Sequence, residues 1–119
     1  MNLYFIRHGQ SVTNLQGVFT GQADVPLTEE GCRDARRAGE LLRGISFDRV
    51  YASDLSRAMR TAELALPGVA YETTPLLREY DLGELVLQSV AACREKYAPD
   101  FTENQRNGNY LQEEIIMQR

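Results

Sequence analysis

The chain has 119 residues, 43% of them apolar, with a net charge of -4 and a pI near 5.0. That length fits one globular domain over residues 1–119, and the acidic balance argues against a nucleic-acid partner, which calls for a basic face. The N-terminus has no basic n-region and its apolar run is too short for a signal peptide or a membrane span, so no membrane partner and a cytoplasmic setting are expected.

Leu3-Tyr4-Phe5-Ile6 reads as a short buried strand, ending at Arg7-His8-Gly9. Residues 9–27 form a long loop, rich in donors at Gln10–Asn14. Thr28 caps a helix with Glu29 and Glu30 in its first turn and Cys32, Ala35, Ala38, Leu41 and Leu42 at helical spacing, with Gly44 as its stop. Phe47–Ala52 supplies a second strand. Ser53 or Asp54 then caps a helix lined by Leu55, Ala58, Met59, Ala62 and Leu66, with Arg57 in its first turn. Pro67-Gly68 ends it, a short strand follows at about Val69–Glu72, and Pro75-Leu76-Leu77 leads to Arg78-Glu79. The last third suggests a helix over Val90–Tyr97 stopped by Pro99, a polar loop over 100–109, and a helical pattern over Tyr110–Arg119 carrying Leu111, Ile115 and Ile116.

The order β–α–β–α–β predicts a parallel sheet with right-handed crossovers. In such a sheet, Arg7-His8, Ser53 to Arg57, and Arg78-Glu79 all follow strand ends on one rim, where ligands of open α/β folds bind. His8 is the only histidine. A neutral imidazole there can attack phosphorus, and guanidinium groups can hold phosphoryl oxygens. Cys32 and Cys93 lack CxxC spacing, so neither a metal nor another cofactor is expected. Each residue also has a plainer reading taken alone: His8 as an inert strand-end histidine, Arg57 as a surface helix residue, Glu79 as a solvated loop carboxylate paired with Arg78, Thr61 as a packing or helix hydroxyl. Arg33, Arg36, Arg37 and Arg43 read most simply as a solvated helix face.

Four segments in order carry a family resemblance: Leu3-Tyr4-Phe5-Ile6-Arg7-His8-Gly9-Gln10-Ser11-Val12-Thr13-Asn14, Thr20–Gly31, Val50–Glu63 and Leu77–Glu84. With all four in register, the chain resembles the histidine phosphatase superfamily, the phosphoglycerate mutase-like proteins, over about its first 84 residues; 85–119 matches poorly. The resemblance implies a three-layer α/β/α fold with a mostly parallel sheet. It implies His8 as the nucleophile that becomes phosphohistidine, and Arg7 and Arg57 as the clamp on the phosphoryl oxygens. It assigns Glu79 as the acid for the leaving group, Asn14 as an added donor, and Thr20 and Gly21 as contacts to the rest of a small phosphorylated substrate. Glu79 must be protonated for that role, so its environment is expected to raise its pKa.

The family ordinarily carries a second histidine on a later strand, which this sequence lacks, and its members are longer. The expectation is therefore a chain truncated before that histidine, or one completed by association, with a homodimer through an uncovered sheet edge as the assembly to test. Three functions follow. Phosphomonoester hydrolysis through His8 stands first, because Arg78–Gly83 is more like the phosphatase branch than the mutase branch. Phosphoglycerate mutase-type transfer and a binding-only relative are the alternatives. A phosphorelay carrier is disfavoured, since its histidine would sit exposed on a helix rather than after a strand.

Overall fold

The computed structural model describes residues 1–79, 81–82, 86–97 and 114–118. β-branched and aromatic residues put β1 at Leu3–Arg7, and the chain then turns into a short helix, α1, over Val12–Gln16. α2 follows at Glu29–Leu41, β2 at Arg49–Ser53, α3 at Ser56–Ala65 and β3 at Glu72–Thr74. A 3-10 turn over Pro75–Leu77, α4 over Val90–Tyr97 and β4 over Glu114–Gln118 complete the order.

The sheet order is β1-β4-β2-β3. β2 and β3 are parallel, and β4 runs antiparallel to both β1 and β2. β1, β2 and β3 therefore point the same way, and their C-terminal ends share one rim, as the α/β reading requires. β4 departs from expectation, since residues 114–118 form a strand where helical spacing pointed to a helix. The Ile115-Ile116-Met117 run is short and rich in β-branched residues, and periodicity alone does not separate a strand from a helix in such a run. The pairing of Phe5 and Tyr51 with Ile116 seats β4 between two strands that both offer it hydrogen bonds. The predicted loop over 100–109 and the stop at Pro99 lie outside the described residues.

Three smaller differences have local causes. The 9–27 loop contains α1, capped by Ser11, whose side chain accepts from the Asn14 N–H while the Asn14 side chain accepts from the Ser11 N–H; Gly17, in the left-handed region at φ 70°, closes it. Neither Ser53 nor Asp54 caps α3: its N-cap is Leu55, which supplies no side-chain cap. The third strand begins at Glu72 rather than Val69. By contrast, Thr28 does cap α2, its Oγ1 accepting from the Gly31 N–H at 3.2 Å.

α3 lies against β2, with α2 alongside it. Val50, Ala52, Ala62, Ala65 and Leu66 form the buried cluster, and Tyr4, Ile6, Leu42, Phe47 and Tyr71 pack onto it. Tyr4 and Phe47 meet edge to face at 5.3 Å. β1 is buried on this side only: Leu3 and Phe5, on its other face, are 49% and 56% exposed. Of the expected stripe on α2, Ala35 is buried, Cys32 and Ala38 are half-buried and Leu42 packs on the core, whereas Leu41 is exposed. A Cβ on Gly39 would stand 2.4 Å from the Ala65 carbonyl oxygen, so only glycine permits this approach of α2 to α3. No helix among the described residues is long and apolar enough to cross a membrane.

Candidate active site

β1 delivers Arg7 and His8 to the rim. His8 is half-buried, and its Nδ1–H donates to the Gly9 carbonyl at 2.7 Å. A carbonyl can only accept, so the proton sits on Nδ1 and the Nε2 lone pair is left for chemistry. Burial lowers the His8 pKa below 6.5, the Gly9 bond opposes that, and the charges of Arg57 and Arg7 lower it further. The exit from β1 is held by backbone contact with α2. A Cβ on Gly9 would meet the Gly31 Cα at 2.9 Å, and one on Gly31 would stand 2.2 Å from the Gln10 carbonyl oxygen.

Arg57, in the first turn of α3, is 0% exposed. Its Nη1 donates to the Ala23 carbonyl at 2.5 Å and its Nη2 to the Gly21 carbonyl at 2.9 Å. The Thr61 hydroxyl donates to the Arg57 carbonyl one turn back, at 2.7 Å, which matches the plain helix-hydroxyl reading of that residue. Charge-assisted bonds to two carbonyls make this buried cation tolerable and fix its plane.

Glu79 reaches the same rim from the end of the third strand. Burial raises its pKa above 4.5, while Arg57 and Arg7 lower it. The same two arginines thus act electrostatically on both His8 and Glu79, which brings Arg7, His8, Arg57 and Glu79 together as the strand-end reading expected. Arg78, next in sequence, turns the other way. Its Nε and Nη2 donate to the two carboxylate oxygens of Asp54 at 2.6 and 2.7 Å, tying the 75–79 segment to the end of β2. This pairing explains why Asp54 is not the cap of α3.

Asn14 and Thr20 sit differently from the donors expected of them. The Asn14 Oδ1 accepts from the Ser11 N–H and hydroxyl at 2.9 and 2.8 Å, serving the α1 cap. The Thr20 hydroxyl is buried and shares a hydrogen bond with Thr13, which in turn bonds Ser11. Gly21 meets the site through its carbonyl on Arg57, with φ 53° and Val86 2.9 Å from where a Cβ would stand. Among the described residues, no group of three or more His, Cys, Asp or Glu side chains is placed to hold a metal ion.

The family model for the histidine phosphatase superfamily, branch 1, matches residues 3–115. The chain belongs to this superfamily. A 2,3-bisphosphoglycerate-dependent phosphoglycerate mutase from Xanthobacter autotrophicus is 41% identical over a 105-residue alignment, with 82% of this chain and 51% of that protein covered. A second such mutase, from Latilactobacillus sakei, is 45% identical over 105 residues, covering 82% and 46%. Among solved structures, a mycobacterial glucosyl-3-phosphoglycerate phosphatase complexed with VO3 superposes at TM-score 0.77 with 30% identity, over 89% of this chain and 54% of that one. The alpha-ribazole phosphatase from Shigella flexneri gives 0.74 and 29%, over 89% and 54%. The chain spans about half the length of the curated relatives it matches. The fold is therefore the phosphoglycerate mutase-like α/β fold of the superfamily.

Several residues that build this histidine phosphatase rim carry no signal in the sequence. Gln22 donates through Nε2 to the Glu79 carbonyl at 3.2 Å, and Asp24 accepts from the Ser56 N–H and hydroxyl at 2.8 and 2.6 Å. Both lie in the Thr20–Gly31 segment that carried the resemblance. Nothing in their spacing announced partners 57 and 32 positions away.

Proposed function

We propose that this chain carries the site of a phosphomonoester hydrolase that works through a phosphohistidine at His8. The observation that carries the reading is that His8 and Glu79 both lie half-buried beside Arg57 and Arg7, where burial favours the neutral imidazole and the protonated carboxyl. Nucleophile and acid are thereby both favoured in the state the chemistry needs.

The Nε2 lone pair attacks phosphorus, forming an N–P bond as the P–O bond to the leaving group breaks. Glu79 gives its proton to the departing alkoxide, which is typically worth about 10²–10⁴ in rate. Water then attacks phosphorus, the N–P bond breaks, and the Glu79 carboxylate takes the proton that water releases. Arg7 and Arg57 hold the phosphoryl oxygens and spread their charge through both steps. Asn14 offers its side-chain N–H groups, and Thr20 and Gly21 border the rest of a small phosphorylated substrate. A cytoplasmic setting goes with this reading, and β3, at the end of the sheet among the described residues, would give a second copy a strand to pair with; fractionation and light scattering test these two points.

Phosphoglycerate mutase-type transfer is the second reading, favoured by the mutase names of relatives 41% and 45% identical. Inorganic phosphate release from an aryl phosphate, wild type against His8→Ala, tests the first. Release that disappears in His8→Ala supports hydrolysis. Phosphate moving between positions of phosphoglycerate without release supports the mutase. Binding of phosphate with neither activity leaves a binding-only relative.

A further inference from the structure

The loop over residues 20–24 touches every arm of the rim that follows a helix or a later strand. Its Gly21 and Ala23 carbonyls accept from Arg57, and its Gln22 donates to the Glu79 carbonyl. Its Asp24 carboxylate accepts from both the N–H and the hydroxyl of Ser56, the first residue of α3. Leu55 leaves the start of α3 without a cap of its own. Asp24 thus provides that cap from 32 positions away, with a negative charge where the helix dipole favours one. The bonds run in both directions between adjacent residues: loop carboxylate to Ser56, then Arg57 back to the loop carbonyls.

We propose that Asp24 is a positioning residue of the phosphate site, which caps α3 from the 20–24 loop and so fixes where the Arg57 guanidinium stands. The proposal rests on the phosphate-site reading of the rim for its consequence in binding. Ser56 is its partner in that task. Two bonds to one carboxylate oxygen determine the distance between loop and helix start, and Arg57 is the next residue along. If the clasp opens, the guanidinium moves relative to His8 with the rest of the fold intact. The hydrogen bonds hold the Asp24 pKa below 3.8, so the carboxylate is ionised across the working range.

His8 supplies a direct readout, because it is the only histidine and Arg57 lowers its pKa. The experiment is an NMR titration of the imidazole, with calorimetric titration of inorganic phosphate, on wild type, Asp24→Ala, Asp24→Asn and Ser56→Ala. Asp24→Ala is expected to move the His8 midpoint up toward 6.5 and to weaken phosphate binding by roughly tenfold or more. Asn keeps an acceptor oxygen and restores most of both, and Ser56→Ala, which keeps the N–H, falls between. A folded Asp24→Ala with an unchanged midpoint and unchanged affinity overturns the proposal. If Asp24→Ala does not fold, the same two measurements on Ser56→Ala decide it. If the wild type binds no phosphate, the phosphate-site reading fails, while the midpoint shift alone still decides whether Asp24 positions Arg57.

Discussion

Behind the sheet, the buried cluster is built from Val50, Ala52, Ala62, Ala65 and Leu66, and three of these five side chains are single methyl groups. Toward the rim, the buried polar residues are Ser11, Thr13, Thr20, Ser53, Arg57 and Thr61, and the largest fully buried side chain described is that of Arg57. The contrast is one of materials. Alanine and glycine let α2 and α3 approach closely but contribute little apolar area each. At the rim, the Ser11, Thr13 and Thr20 hydroxyls and the Asn14 amide bond among themselves, and the Arg57 guanidinium donates to backbone carbonyls, where an unmet acceptor would be expensive. Order in the site is therefore part of the stability of the fold, and a rim substitution should move both together.

The largest effect should come from Arg57→Met, which keeps much of the volume and removes the donors. Each carbonyl left unmet in this buried position costs about 1–3 kcal/mol. The Tm should drop by several degrees in thermal melts, and His8-dependent phosphate release should vanish. A Tm equal to wild type would break the idea that rim and stability are joined.

A glycine pair on α2 sharpens the comparison. Gly31→Ala drives a Cβ into the Gln10 carbonyl and Gly39→Ala drives one into the Ala65 carbonyl. Both obstacles are backbone, so the overpacking cost of about 1–3 kcal/mol should exceed the gain of roughly 0.8–1 kcal/mol that alanine brings to a helix. Similar Tm losses are expected in both. Only Gly31→Ala, beside the exit from β1, should also change phosphate affinity; equal loss of affinity in Gly39→Ala would show that the two regions are not separable.

Acidity offers a smaller and reversible probe. His8, with its folded pKa below 6.5, resists protonation in the fold, so its contribution to stability falls as the pH drops through that lowered value. Glu79, with its folded pKa above 4.5, favours the protonated fold, so its contribution is complete below 4.5 and is lost as the pH rises through the raised value. Hydrolysis should accordingly follow a bell in mildly acidic solution. The Arg57 charge lowers both groups, so Arg57→Gln should move any residual profile to higher pH, and an unmoved profile would count against their shared environment.

Glu30→Gln should do least. Its pair with Arg33 lies on the exposed face of α2, where solvent screens the attraction and the pair contributes little. Thermal melts should barely distinguish it from wild type.

Much of this rim is legible in the chain. An apolar strand running into Arg7-His8-Gly9, a capped helix after Thr28 and Arg57 in the first turn of a helix are all local signals. What sequence hides is long-range. Asp54 looks like a cap until Arg78 claims it, and Leu55 becomes the start of α3 because Asp24 supplies the missing acceptor. Asn14 looks like a ligand donor, yet its carbonyl oxygen closes the α1 cap with Ser11. The spacing of that pair was readable, but five residues make too short a helix for periodicity to find. β4 is hidden because a strand in a slot between two others is defined by its partners, not by its own pattern.

The pairing of Leu3 with Gln118 and Arg7 with Glu114 joins opposite ends of the sequence. Contacts so distant in sequence carry a large loop-closure cost and slow the step that forms them. The α2–β2–α3–β3 block depends on far more local contacts and can assemble first. Arg57 rides on that block, and its carbonyl partners, 34 and 36 positions away, are far nearer in sequence than those of the strand that carries the imidazole. That strand is therefore expected to dock last.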